Sequence, residues 1–374
     1  EAAVNAGANA VYLGGSSFGA RAYADNFGPD ELKRAMEFAH LHGVRIFVTV
    51  NTLVDDEEMP ALGDYLTFLS NIGTDGIIVQ DMGVIRLARK VVPELLLHAS
   101  TQMTVTNSAG AIFTCHAGMV RAVPARETTL KDLKTICEKT PGEIETFMHG
   151  ALCICYSGQC LMSSLIGGRS GNRGRCAQPC RLPYTLVDKQ GEDLLSHVDA
   201  GHYLLSPKDL NTLDVLPQLI EAGVRSFKIE GRMKRPEYVA VVTDIYRRAI
   251  DSYFAGNYHV PEEDRKNIEQ IFNRDFKEAG PHHDQRPPAQ QPGRAYWPGG
   301  FPVQGLCYGN HQAGQGPAPG RRPGVLGQRR GPGRDHGGKN EMRRQGNGGG
   351  PGRQPGDHRR TPGHPVKRPG VSDL

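Results

Sequence analysis

The sequence predicts an α/β fold, a TIM-like (β/α) barrel interrupted by a cysteine-rich insertion. Three observations carry this expectation. Seven short β-rich runs alternate with helical segments through the first 250 residues. Several of these runs are apolar at consecutive positions, as parallel strands covered on both faces require. A glycine stop recurs just ahead of the next strand, at Gly7, Gly43, Gly73 and Gly223.

The strand candidates are residues 10–14, 44–51, 76–81, 95–101, 120–125, 144–149 and 225–230. Between them, Pro29-Asp30-Glu31 opens a helix with an acidic first turn that ends near His42-Gly43. Further helices are read at 57–72, 83–91, 109–116, 129–138, 214–222 and 236–253. Seven such units fit either a barrel of eight or an open doubly wound sheet. Repetition of one unit, glycine stop included, favours the barrel. The first residues read as the inside of a helix, so a preceding first strand is expected to be missing and the chain to be a fragment. The expected domains are a barrel over 1–255 with the insertion at 151–206, a linker and the start of a C-terminal region at 256–280, and a separate tail at 281–374.

Composition sets the tail apart. Residues 281–374 hold 22 Gly and 15 Pro, with 13 Arg and 2 Lys against 5 acidic residues. Removing that +10 from the chain's +4 leaves about −6 on residues 1–280, so the basic balance belongs to the tail and global charge says nothing about nucleic acid. The tail lacks the apolar content to offset ordering entropy and reads as disordered. No apolar run approaches the roughly 18 residues of a membrane span and no leader opens the chain, so no membrane association and a cytoplasmic location are expected.

Five of the eight cysteines crowd between Cys153 and Cys180, which reads as metal or redox chemistry in a reducing compartment. Cys153, Cys160, Cys176 and Cys180 are separated by six, fifteen and three residues within one Gly-rich stretch. Four thiolates so placed select zinc or an iron-sulfur cluster over hard cations, and spacing alone does not separate the two. Cys155, Cys115, Cys137 and Cys307 are read instead as small buried hydrophobes.

The insertion follows the C-terminal end of a strand, the face where barrel enzymes build their sites. Polar residues at other strand ends are expected to converge there: Asn51, Gln80, Asp81, Ser100, Thr101, Gln102, Arg126, Glu127, His149, Lys228, Glu230 and Arg232. Each has a plainer reading; Asp81 and Asn107 fit as helix caps, and Arg126 and Glu127 can pair with each other. Arg169, Arg173, Arg175 and Arg181, with Lys228 and with Lys234 and Arg235 nearby, form a basic rim for a phosphate-bearing substrate or a counter-charge to the thiolates. Few aromatics interleave with these charges, so the base-stacking signature is weak.

The string Glu-x-Phe-x-x-Gly-Ala-Leu-Cys-x4-Gly-x-Cys-x-Met-Ser, carried by Glu145, Phe147, Gly150, Ala151, Leu152, Cys153, Gly158, Cys160, Met162 and Ser163, resembles the signature of peptidase family U32, the collagenase-like proteases. Lys228-Ile-Glu-Gly-Arg232 is similar to a second motif of that family. The resemblance runs over about residues 1–280. Beyond it, permitted codons for residues 290–300 read one base out of frame give Asn-Asn-Arg-Gly-Val-Pro-Ile-Gly-Arg-Val, which looks like the start of the small β domain that follows the barrel in this family. A reading frame that slips shortly after Phe276 is therefore a second expectation for the tail.

The resemblance implies two activities. Some relatives are named collagenases or proteases. Others are similar to oxygen-independent hydroxylases acting on tRNA wobble uridine, ribosomal RNA or a quinone precursor, with four cysteines holding an iron-sulfur cluster and prephenate as a candidate hydroxyl donor. No His-Glu-x-x-His helix and no Gly-x-Ser-x-Gly elbow is present, so common hydrolase machinery is not visible. His149 and a thiol could act as base and nucleophile, but a thiol bound to metal cannot also attack a peptide bond. The expectation is an iron-sulfur enzyme, four-iron four-sulfur with zinc as the alternative, that hydroxylates tRNA wobble uridine. Cys153, Cys160, Cys176 and Cys180 are its ligands, and Arg126, Glu127, His149, Glu230 and Arg232 its candidate catalytic residues. Arg169, Arg173, Arg175, Arg181 and Lys228 are expected to bind substrate. The alternatives are a protease acting on protein substrates and a zinc-stabilised RNA-binding protein without catalysis.

Overall fold

Short apolar strands, each followed by an amphipathic helix, set the architecture. The computed structural model describes residues 1–271 except 23, 25, 199 and 200, together with the backbone of two short strands at 276–278 and 308–309. The readings of 281–374 as disordered or out of frame fall outside the described residues, apart from the second of those strands. Helix α1 (Ala2–Asn5) leads into β1 (Ala10–Gly14), α2 (Pro29–Leu41), β2 (Arg45–Val50), α3 (Met59–Asn71), β3 (Gly76–Val79), α4 (Met82–Val91), β4 (Leu97–Ala99), α5 (Ser108–His116), β5 (Arg121–Ala122), α6 (Leu130–Lys139) and β6 (Glu143–Gly150). The insertion holds α7 (Met162–Gly167) and β7 (Thr185–Leu186). The chain then continues through β8 (Asp209–Asn211), α8 (Leu216–Glu221), β9 (Ser226–Ile229), α9 (Pro236–Phe254), α10 (Glu262–Ile271), β10 (Phe276–Glu278) and β11 (Tyr308–Gly309).

Strands β1 to β6 pair in chain order, all parallel, and β9 pairs parallel with β6. β8 runs antiparallel along the last two residues of β6, and β10 pairs parallel with β8. The result is a curled, predominantly parallel sheet. Its two edges come within side-chain reach, because the Tyr12 hydroxyl of β1 donates to the Ile229 carbonyl of β9 at 3.3 Å. Behind this seam α1 lies on α9, where Arg247 donates to Asn9 at 3.0 Å. In the insertion β7 pairs antiparallel with β11.

The strands are buried on both faces, fully so in β3 and β4, which is why their sequences run apolar without alternation. The main core packs the helices on the outside of the sheet, with Leu62, Leu66 and Leu69 of α3 against Ile77 and Val79. A second cluster joins Met148 to Leu216, Val242 and Tyr246, and includes Ile268 of α10. Residues 256–280, read from sequence as a linker and the start of a C-terminal region, thus contain a helix with a fully buried anchor. Asp81 caps α4 through the amides of Gly83 and Val84 at 2.7 and 3.1 Å, and Asn107 caps α5 through Gly110 at 2.9 Å. Gly43 and Gly223 stop α2 and α8 in left-handed geometry, φ 69° and 94°, a conformation that favours glycine. Among the described residues no helix is long and apolar enough to cross a membrane.

A charged network lies inside the sheet. The Glu145 carboxylate accepts from Lys228 at 2.8 Å, Arg121 at 3.1 Å and Ser226 at 2.7 Å, tying β6 to β9 and β5. Burial alone pushes the Glu145 carboxyl up, but Lys228 and Arg121 outweigh it and hold it at about 2, below its ordinary 4.5. A depressed carboxyl contributes stability that is present above the unfolded value and lost as pH falls through the folded one. Unfolding free energy measured by denaturant is therefore expected to drop between pH 4.5 and 2. Glu145→Gln should flatten part of that drop and cost about 3–5 kcal/mol at neutral pH, because it leaves the buried Lys228 unmatched while Arg121 keeps Glu143 at 2.6 Å. A variant with the wild-type pH slope contradicts this account.

Candidate functional site

The strand ends open onto one cavity of about 920 Å³. Its wall draws on residues at or just beyond the C-terminal ends of β1, β2, β4, β5, β6 and β9, with the cysteine-bearing insertion folded over it. Parallel pairing puts all these ends on one side, so residues far apart in sequence meet there.

Glu230, just past β9, forms the centre. Its buried carboxylate stands 3.6 Å from Arg126 and 3.9 Å from Arg21. Burial raises its pKa, but Arg21, Arg232, Arg126 and Lys228 together bring it to about 2, so it is a carboxylate at any ordinary pH. Lys228 is already matched by Glu145, which leaves three guanidinium groups for one carboxylate. Arg126 is fixed by stacking, its guanidinium carbon 3.8 Å from the centre of the Phe147 ring. Arg232 donates to the Thr49 hydroxyl at 3.1 Å and lies 5.3 Å from the Tyr12 ring. The Nε groups of Arg126 and Arg232 are buried and meet no acceptor among the described residues. With three guanidinium groups to one carboxylate on its wall, the cavity has the chemistry that suits an anion.

The thiols stand on the same wall. Cys153, Cys160, Cys176 and Cys180 all line the cavity. Cys160 shares hydrogen bonds with Cys153 and Cys155, and the bond from Cys153 draws the Cys160 thiol down. That same bond, followed by burial, pushes Cys153 up, while burial raises Cys155 and Cys180. Among the described residues no three His, Cys, Asp or Glu side chains stand ready to grip a single ion. The donor set is four soft sulfurs facing one space, with a fifth, Cys155, directly behind. That chemistry suits an iron-sulfur cluster or zinc.

The thiol loop is fastened at three points. Ser157 donates to Glu127 through its amide and hydroxyl at 3.3 and 3.2 Å, and its carbonyl accepts from Thr104 at 2.8 Å. At the adjacent Gly158, φ 82°, an added Cβ would lie 2.2 Å from the Gln102 carbonyl oxygen, so only glycine fits. Arg181 reaches the carbonyls of Leu152 and Pro207 and the Ser206 hydroxyl, at 2.7, 2.6 and 2.6 Å. Arg173 forks onto both oxygens of Glu58, each at 2.7 Å, while the amides of Leu53 and Ala22 donate to the carbonyls of Asn172 and Gly174 at 3.1 and 2.9 Å. This strap lies three residues before Cys176 and ties it to the loops after β1 and β2.

The sequence matches peptidase family U32 over residues 1–289, which is most of the chain. The chain belongs to peptidase family U32. It is 40% identical over 293 residues to tRNA hydroxylation protein P1 of Bacillus subtilis, covering 76% of this chain and 69% of that protein. It is 46% identical over 246 residues to the 23S rRNA 5-hydroxycytidine C2501 synthase of Escherichia coli, covering 66% of this chain but only 36% of that one. A collagenase of Porphyromonas gingivalis is 35% identical over 289 residues, covering 74% of this chain and 69% of the collagenase. Among solved structures it is similar to the U32 peptidase Mk0906, with a TM-score of 0.34, 15% identity, and coverage of 38% of this chain and 62% of that one.

Within this U32 chain, the residues expected at the site divide. Asn51, Ser100, Thr101, Gln102, Arg126, Arg181, Lys228, Glu230, Arg232 and the four cysteines line the cavity. His149, expected as a catalytic residue, does not reach it. It is 1% exposed, its Nδ1 lies 3.3 Å from the Tyr246 hydroxyl on the α9 side, and burial lowers its pKa to about 3. Glu127 braces Ser157 and is off the cavity wall. Arg173 is engaged by Glu58, and Arg169 and Arg175 lie exposed outside the cavity lining. Arg21 and Tyr12 belong to the site without having been singled out in the sequence. Arg21 lies seven residues past the end of β1, beyond the reach of the strand-end rule.

The strap gives a measurable consequence. Arg173→Met removes the fork onto Glu58, and hydrogen exchange at the Leu53 and Ala22 amides, which donate to the strap, is expected to speed up about tenfold, or ~1.4 kcal/mol of local opening. Unchanged exchange would show that the backbone bonds hold the strap alone.

Proposed function

We propose that this U32 protein is an enzyme that hydroxylates an RNA base, with tRNA wobble uridine as the target. One observation carries the reading: a thiol quartet and a surplus-charged arginine cage line one cavity at the strand ends. The relatives named for tRNA hydroxylation, and the rRNA hydroxycytidine synthase, supply the reaction class. In this reading Cys153, Cys160, Cys176 and Cys180 hold a four-iron four-sulfur cluster, which supplies electron transfer or substrate activation without molecular oxygen. In this reading the curled sheet is a TIM-like barrel, with Tyr12 linking β1 to β9.

The chain's own residues do the positioning. Arg126 and Arg232 line the cavity beside Glu230, and Arg21 adds a third charge. Together they bind a small carboxylate hydroxyl donor, for which prephenate is the candidate. Glu230 keeps these three guanidinium groups from repelling one another while leaving net positive charge for the ligand. Asn51, whose side chain donates to Gln102 at 2.9 Å and accepts from the Ala20 amide at 3.0 Å, fixes the opposite wall. The collagenase-like reading draws no support from this cavity. No histidine is among the residues that line it, and the thiols next to Cys153 are one another's partners.

Mass analysis of tRNA and rRNA nucleosides from a deletion strain tests the reading. Loss of the gene is expected to remove the hydroxyl from wobble uridine, and plasmid-borne wild type to restore it. An Arg126→Lys or Arg232→Lys variant should restore about ten- to hundredfold less, the worth of one charge-assisted bond to an anion. Nucleosides identical with and without the gene defeat the proposal.

A further inference from the structure

Resting on the RNA reading, we propose that the exposed ridge of α7 is the surface on which an unpaired stretch of the RNA substrate docks. The helix begins at the cavity wall, where Met162 and Ser163 are part of the lining and the Ser163 hydroxyl accepts from the Ala177 amide at 2.9 Å. Its outward side is aliphatic. Leu161, Leu165 and Ile166 are 56%, 82% and 64% exposed, and Leu161 and Leu165 are one turn apart and so adjacent. Three large apolar side chains, two on a six-residue helix and one at its N-cap, have no core to serve there, and an apolar patch rimmed by polar residues marks an interaction surface.

Charge identifies the occupant. Residues 151–182 contain four arginines and no acidic residue. The Arg169 amide donates to the Ser163 carbonyl at 3.2 Å and its Nε to the Arg175 carbonyl at 3.2 Å, which sets two exposed arginines at the end of α7. An aliphatic ridge ending at two exposed arginines matches a polyanion that also offers apolar surfaces. Unpaired RNA does so, with phosphates on the arginines and splayed bases on the leucines and isoleucine. A duplex hides its base faces and would leave the ridge in water.

Fluorescence anisotropy with a labelled tRNA anticodon stem-loop, and with the same sequence annealed into a full duplex, tests this. The Leu165→Ser/Ile166→Ser variant is expected to weaken stem-loop binding about tenfold. The slope of log K against log salt stays unchanged, since no charge is removed, and duplex binding is untouched. Arg169→Gln/Arg175→Gln should instead lower both affinity and slope. The single Leu165→Ser, at the most exposed position, replaces the double variant if the latter lowers Tm. Stem-loop affinity equal to wild type, or an equal loss on the duplex, overturns the α7 proposal alone. Wild-type protein that binds neither RNA overturns the RNA reading with it.

Discussion

The site depends on a single carboxylate, Glu230, buried among arginines that come from three different strand ends. Arg21 follows β1, Arg126 follows β5 and Arg232 follows β9, so the cage exists only if the sheet curls enough to bring first and last strands together. Arg126 and Arg232 at this depth, with the partly exposed Arg21 beside them, would repel without a counter-charge, and a buried charge left unmatched costs several kcal/mol. Glu230 supplies that counter-charge but only one unit of it. The remaining imbalance leaves net positive charge on the cavity wall, and among the described residues the Nε groups of Arg126 and Arg232 have no acceptor.

The insertion is coupled to the same strand ends. The thiol loop leaves the end of β6, lies on the loop after β4 through Thr104 and Gly158, and returns over the loops after β1 and β2 through the Arg173 strap. The four arginines read from sequence as a substrate rim therefore differ in role. Arg173 and Arg181 hold the loop in place. Arg169 and Arg175 remain exposed beside α7, away from the cavity. The arginines around Glu230 come from the loops after β1, β5 and β9, while Arg181 is the insertion's arginine on the cavity wall.

Much of this was legible in the sequence. Each of the seven strands expected from apolar runs and glycine stops is present at its place, from β1 at Ala10–Gly14 to β9 at Ser226–Ile229. The helices α2 to α6, α8 and α9 also fall where their spacing puts them. The misses have local causes. β8 reads Asp-Leu-Asn, too short and polar for a period to show, and α10 carries one fully buried anchor in a run of charges. His149 was misplaced by a bulge. Strand alternation puts it on the face of Glu145 and Phe147, but the β6–β9 register shifts between Phe147 and His149, so the ring turns to Tyr246 and Tyr238. Arg21 escaped because it sits in an irregular loop seven residues past its strand, where no period points to it.

The central claim is that the four cavity thiols hold one iron-sulfur centre, and anaerobic reconstitution with iron and sulfide tests it most directly. The account predicts a brown protein with about four iron and four sulfide per chain. The colour should be lost on replacing any of Cys153, Cys160, Cys176 or Cys180 by Ser, and kept in Cys155→Ser. A colourless product that binds neither element, or a Cys155→Ser variant that alone fails to take up iron, would contradict it.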